Sequence, residues 1–115
     1  MKYLLMAYVN EGGFAALTKE QQEQGAAAYM AYGEALAKAG VAAGSNRLQP
    51  STAATTVRVT NGKSQVLDGP YADSKEQLGG YFMIDVPNLD TAISWAARCP
   101  AASHGVVEVR PLWSM

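Results

Sequence analysis

Asp68, Tyr81, Cys99, His104, Glu108 and Arg110 are the residues whose types and neighbours invite a chemical reading. Arg110 carries a permanent charge on a planar fork that matches a carboxylate or phosphate. Glu108 precedes it by two positions, so in a strand both side chains share one face. Tyr and Met side chains on that face, beside the charges, would give a small-ligand pocket its apolar walls. The simpler reading of Glu108 and Arg110 is a surface or interface ion pair. Asp68 would act as a general base only if burial raised its pKa toward neutrality. At the head of Asp68-Gly69-Pro70 it has a more ordinary task, accepting hydrogen bonds from backbone donors in a tight turn. His104 is the one histidine, the side-chain type suited to proton transfer near neutral pH, but Ser103 and Gly105 beside it supply no carboxylate to orient the ring. Cys99, at a helix C-terminus, lacks the electropositive setting that makes a thiolate and reads as a small buried side chain. No catalytic residue and no metal ligand set is assigned; the ligand-pocket candidates are Asp68, Tyr81, Glu108 and Arg110.

Periodicity supplies the elements that must position these groups. Residues 2 to 9 are apolar in both alternating sets, Leu4, Met6, Tyr8 and Tyr3, Leu5, Ala7, Val9, which predicts a strand covered on both faces. After a Glu11-Gly12-Gly13 loop, Thr18 with Gln21 forms a capping-box pattern. Ala26, Tyr29, Met30, Gly33 and Leu36 then recur at helical spacing up to Gly40, with Tyr29 and Met30 expected to supply most of the buried volume. A short strand is predicted over 45 to 50, ending at Pro50. Strands at 55 to 60 and 63 to 67 flank Asn61-Gly62, a strong hairpin signal. Beyond the Asp68-Gly69-Pro70 turn, Asp73 or Ser74 is expected to cap one helical turn through Glu76 and Gln77, closed by Gly79-Gly80. A strand over 81 to 86 follows, with Phe82, Ile84 and Val86 toward the helices and Tyr81, Met83 and Asp85 on the other face. Asn88 or Asp90 caps a second helix carrying Leu89, Ala92, Ile93, Trp95 and Ala96, with Pro100 just past its end. His104 falls in a loop before a last strand from about Val106 to Leu112. Setting the hairpin aside, the order is strand, helix, strand, strand, helix, strand, a split βαβ arrangement that leaves one sheet face bare.

Composition narrows the function classes. A chain of 115 residues makes one domain, 1–115, with much of its surface exposed. Charged residues are 17% against 49% apolar, so more apolar surface needs cover than a monomer readily buries, and a homodimer is expected. A net charge of −1 without a basic cluster argues against direct nucleic-acid binding. One cysteine excludes an internal disulfide and fits a reducing cytoplasm. The apolar N-terminal run is too short to span a membrane. No cofactor is expected.

Three blocks in order, Asp68-Gly69-Pro70-Tyr71, Ser74-Lys75-Glu76-Gln77-Leu78-Gly79-Gly80-Tyr81 and Val107-Glu108-Val109-Arg110-Pro111, resemble the signature of the YCII-related family in its DGPF-type branch, with Tyr71 where that branch usually has Phe. The resemblance runs the length of the chain. It implies a ferredoxin-like α+β fold with an inserted β-hairpin, dimerising through its sheets as a dimeric α/β barrel, a largely uncharacterised function, and a functional link to sigma factors of the extracytoplasmic-function type. YciI-like relatives are suggested to use a His in the first helix and an Asp just before a Pro near the end of the second. Here the first helix has no His and Cys99 precedes Pro100, so that pair does not carry over. Two functional expectations follow. One is a small-ligand-binding or regulatory accessory module taking a small polar or anionic molecule near Arg110. The other is an enzyme acting on a small polar metabolite through Asp68, His104 or Arg110 in a pocket at the dimer's sheet face.

Overall fold

A computed structural model describes residues 1–114. The chain runs β1 (Lys2–Val9), α1 (Glu11–Ala15), α2 (Lys19–Lys38), β2 (Ala42–Arg47), a single 3-10 turn (Ser51–Ala53), β3 (Thr55–Thr60), β4 (Lys63–Asp68), β5 (Gln77–Asp85), α3 (Leu89–Arg98), α4 (Ala101–His104) and β6 (Val106–Pro111). Four strands form an antiparallel sheet in the order β2-β5-β1-β6, while β3 and β4 pair only with each other as a separate ribbon. The architecture is α+β.

β1 lies at the centre because both its alternating sets can be used. Tyr3, Leu5 and Ala7 enter one core with Ile84 and Val86, with Tyr32 and Leu36 of α2 and with Ala92 and Ala96 of α3. Both long helices therefore cover the same side of the sheet. Leu5, Leu36 and Ile84 are essentially solvent-free, and each such side chain contributes about 1.5–3 kcal/mol by burial. The other set, Leu4, Met6 and Tyr8, stays half-exposed. Of the two covers expected for β1, a single chain supplies one. The molecule measures 47 × 44 × 18 Å with a radius of gyration of 16.0 Å, against ~13 Å for a compact domain of this length. Two thin layers and a projecting ribbon account for the difference.

Local signals act where the sequence places them. Thr18 Oγ1 accepts the Gln21 N–H at 3.1 Å and Gln21 Oε1 accepts the Thr18 N–H at 3.0 Å, a complete capping box. At the other end of α2, the Val41 N–H reaches the Leu36 carbonyl and the Gly40 N–H the Ala37 carbonyl, the paired bonds of a Schellman stop. Asn88, not Asp90, caps α3 by accepting the Thr91 N–H at 2.9 Å. Asn61 and Gly62, at φ 53° and 76°, make the hairpin turn.

Several expectations need correction. The Glu11-Gly12-Gly13 segment is the short helix α1, capped by Asn10, and not a loop. Met30 is 68% exposed and Tyr32 takes its place in the core, so the buried line of α2 is Tyr29, Tyr32, Leu36. Tyr32 packs edge-on to Phe82 at 5.0 Å and donates its hydroxyl to the Trp95 carbonyl at 2.7 Å. Burial, then the neighbouring Cys99, pushes its hydroxyl pKa up. The second strand is 42–47 and not 45–50. No helical turn forms over 73–77. The Gln77 amide donates to the Ala72 and Ser74 carbonyls at 3.0 and 2.9 Å, occupying acceptors that helical N–H groups would need. Gly79 and Gly80 are strand interior: a Cβ on Gly80 would lie 2.9 Å from the Asn46 carbonyl oxygen. His104 ends α4 and is not in a loop.

The N-terminal ammonium sits 2.9 Å from Asp85 Oδ1, and this hydrogen bond and charge hold the carboxyl below the usual aspartate range. A carboxyl whose pKa is lower folded than unfolded adds stability above its unfolded pKa and loses it as pH falls through the folded one. An NMR titration of Asp85 is expected to give a midpoint below the ordinary value, rising when the amine is acetylated. An unchanged midpoint after acetylation would mean the pair is not formed in solution.

Candidate functional site

Two places concentrate candidate residues. On the bare sheet face the strand register sets Asn46, Tyr81, Met6 and Glu108 in one row, with Met83, Leu4 and Arg110 in the next. Asn46 Nδ2 donates to the Tyr81 hydroxyl at 2.8 Å. Arg110 Nη2 donates to Glu108 Oε2 at 2.6 Å, and the two side chains are 70% and 41% exposed. The guanidinium already has a carboxylate partner on its own strand, as the simpler reading anticipates, and an anion arriving there meets that carboxylate. Tyr81, Glu108 and Arg110 are brought together on this face.

Asp68 is not among them. It ends β4 in the ribbon, is exposed, and its carboxylate accepts no hydrogen bond among the described residues. The turn is held instead by the Gly69 N–H on the Ala54 carbonyl at 2.7 Å and by Thr56 Oγ1 donating to the Gly69 carbonyl at 2.7 Å. With Gly69 at φ 106°, backbone conformation and Thr56 do the work expected of the Asp68 side chain. Asp68→Asn is consequently expected to shift stability by no more than ~0.5 kcal/mol, in place of the ~1 kcal/mol of a lost cap. Urea unfolding that showed a cap-sized loss would restore the side chain's role. His104 is exposed, with Ser103 Oγ 3.3 Å from Nδ1 and no carboxylate against the ring among the described residues. Cys99 is 2% exposed, and burial raises its thiol pKa, against a nucleophilic role.

The second place was not visible in the sequence. Where the ribbon joins the sheet lies a cleft of about 460 Å³, lined by Leu48 to Ser51 with Ala53 and Ala54, by Pro70, and by Gln77 and Leu78. Its frame is fixed by non-local bonds. The Leu48 N–H reaches the Gly79 carbonyl at 2.9 Å. The Glu11 carboxylate accepts both the Ser51 N–H, at 2.7 Å, and the Ser51 hydroxyl across forty positions of sequence. Pro70 belongs to the Asp-Gly-Pro turn, and Gln77 and Leu78 to the block ending in Gly79-Gly80-Tyr81, so two of the three signature segments meet here. The only cue in sequence was that these segments are close together; that Leu48 to Ala54 would complete the wall depends on the fold. A smaller hollow of about 300 Å³ between α3, α4 and β6 is lined by Ile93, Ala96, Ala97, Ala102, Val107 and Val109 and has no polar side chain to orient a ligand.

Comparison with known proteins agrees with the signature blocks. A solved structure of 5-chloro-2-hydroxyhydroquinone dehydrochlorinase from Burkholderia phenoliruptrix, in complex with 2,5-dihydroxybenzoquinone, matches with a TM-score of 0.55 at 16% identity, covering 98% of this chain and 94% of that one. At that identity the likeness is one of fold. An uncharacterized protein of Rhizobium meliloti is 39% identical over 114 residues, 97% of this chain and 92% of its own length. The YCII-related domain matches residues 1–115, and the chain belongs to the YCII-related family.

Proposed function

We propose that this protein is a small-ligand-binding module that works as a homodimer. The observation that carries the reading is the cleft where the ribbon joins the sheet. Its volume falls within the ~300–1,000 Å³ of small-molecule sites, and it combines apolar walls with a few fixed polar groups. No acid or base is among the lining residues, and the one hydroxyl in the wall, that of Ser51, is tied to Glu11 together with the Ser51 N–H as part of the frame, which supports binding over acid–base chemistry. The strand order β2-β5-β1-β6 with both long helices on one side supports a ferredoxin-like fold, and the half-exposed Leu4, Met6 and Tyr8 support pairing of two bare faces. Regulation in the setting of a sigma factor is the biological context that the DGPF-type resemblance suggests.

Native mass spectrometry tests both halves. The intact chain is expected at the mass of two copies, with small molecules retained from cell extract. Met6→Lys, which sets a charge between Tyr81 and Glu108 on the bare face, is expected to give single chains. A wild-type monomer at micromolar concentration, or a Met6→Lys dimer, would overturn the assembly.

A second reading rests on the row Asn46, Tyr81, Met6, Glu108 with Arg110 beside it. Enclosed by a second copy, these groups would form an enzyme site for a small polar metabolite, and the fold neighbour acting on a chlorinated hydroxyhydroquinone is by its name an enzyme. Turnover abolished by Glu108→Gln or Arg110→Ala, with stability intact, would select this reading.

A further inference from the structure

The cleft where the ribbon joins the sheet offers few free donors, and that limits what it takes. Its hydrogen-bond donors are largely spent. The N–H groups of Leu48, Ser51, Ala53 and Ala54 go to Gly79, Glu11, Pro50 and Ser51 respectively, and the Ser51 hydroxyl goes to Glu11. Pro50 and Pro70 have no N–H to offer. Gln77 spends its NH2 group on the Ala72 and Ser74 carbonyls. Two carbonyl partners also fix which end of that amide is nitrogen, so the group left without a partner is its carbonyl oxygen, an acceptor. Among the lining side chains, only the Gln49 amide keeps donors uncommitted. No Lys, Arg or His lines the wall, so an incoming carboxylate or phosphate would lose its water without a charge to replace it.

We infer that the cleft binds an uncharged, compact ring carrying hydroxyl donors, whose apolar body lies against Leu48, Pro50, Pro70 and Leu78 while a hydroxyl donates to the Gln77 carbonyl oxygen. The inference rests on the ligand-binding reading above and adds the chemical class. A ring fits because the walls are proline rings and short aliphatic side chains, and such rigid surfaces need a rigid partner to stay in contact. Specificity comes from the acceptor. A hydroxyl replaces the water paired with that acceptor, whereas an analogue lacking it displaces the water and gives no hydrogen bond in return.

The probes are resorcinol, its dimethyl ether, which keeps the ring and loses both donors, and benzoate, which replaces them with a negative charge. Each is titrated into the full-length 15N-labelled protein while the side-chain amides of Gln77 and Gln49 and the backbone amides of Ser51 and Ala54 are followed. Resorcinol is expected to shift these signals saturably, with the ether and benzoate at least tenfold weaker. Gln77→Leu should bring resorcinol down to the level of the ether. Because that change also frees the 72–77 loop, Ala54→Leu serves as a second variant that fills the cleft without touching the Gln77 bonds, and it should abolish all three titrations. Benzoate or the ether binding there as tightly as resorcinol would overturn the chemical class and leave the cleft as a site. Shifts confined to Tyr81, Met6 and Arg110, or none with any probe, would overturn the site together with the class.

Discussion

Ile84→Ala is expected to remove about 2–5 kcal/mol of stability, the cost of a buried Ile truncated in a core that cannot fully collapse around the gap. Ile84 is 0% exposed. Its strand is pinned on both sides, opposite Tyr3 of β1 and Ala42 of β2, so the backbone has little room to close a cavity. Domains of this kind hold about 5–15 kcal/mol in total, and the core here is small, so the variant is expected to lose much of its cooperativity margin. Urea unfolding should show a lower midpoint with an unchanged slope. Met30→Ala, at a position 68% exposed on the outer side of α2, should leave the midpoint within error. A loss below about 1 kcal/mol at Ile84, or an equal loss at Met30, would mean that α2 packs through a different face.

Gly105→Ala is expected to cost at least the ~1–3 kcal/mol typical of overpacking, from a single added methyl. The backbone angles of Gly105 do not demand glycine; the space does. An added Cβ would lie 2.2 Å from the Tyr8 carbonyl oxygen and 3.2 Å from that of Ala101. Neither atom can rotate away, since both are main chain, one in the central strand and one at the start of α4. The Gly105 N–H is also tied to the Ala101 carbonyl at 2.7 Å. Relief requires β6 to move off β1 or α4 to open, and either change disturbs the strand carrying Glu108 and Arg110. Gly33→Ala is the matched control: it lies inside α2 with nothing within 4 Å of the added atom, and should gain up to ~1 kcal/mol from helix propensity. Thermal unfolding of the pair should move in opposite directions. Equal and small shifts would show that β6 sits further from β1 at Tyr8.

What the sequence disclosed were the features whose cause is local. The capping box at Thr18, the Asn61-Gly62 turn and the alternation of β1 and β5 are each set by a few adjacent residues. β2 begins three residues ahead of the predicted strand: Ala42-Ala43-Gly44-Ser45-Asn46-Arg47 has no β-branched or aromatic residue, and it is a strand because the edge of β5 pairs with it. Gly79-Gly80 resembled a helix stop, yet these residues are small because Val9 and the Asn46 backbone come close. Spacing does not single out Tyr32, because Met30 and Gly33 satisfy it equally well, and only the direction of the sheet chooses between them. The same limit applies to the sites. Tyr81, Glu108 and Arg110 share a face because alternation is local, whereas the cleft joins Leu48, Pro70 and Gln77 through pairings that span the chain. Asp68 stands out as an acid in a turn motif, but the member of that motif that lines the cleft is Pro70, which offers a surface and no chemistry.

The central position of β1 has a consequence for how the protein is made. β1 is the first strand to be synthesised, but its partners β5 and β6 begin at Gln77 and Val106. β2 must also wait, since its only neighbour in the sheet is β5. At translation rates of about 5–20 residues per second, the roughly one hundred positions separating β1 from β6 correspond to about 5–20 s before the core around Tyr3, Leu5 and Ala7 can be completed. The order of pairing makes folding of the sheet a late event, with a high contact order and a correspondingly slow rate. A nascent chain stalled before β5 would hold a capped α2, a closed ribbon and an orphaned apolar strand, the kind of segment that holdase chaperones bind.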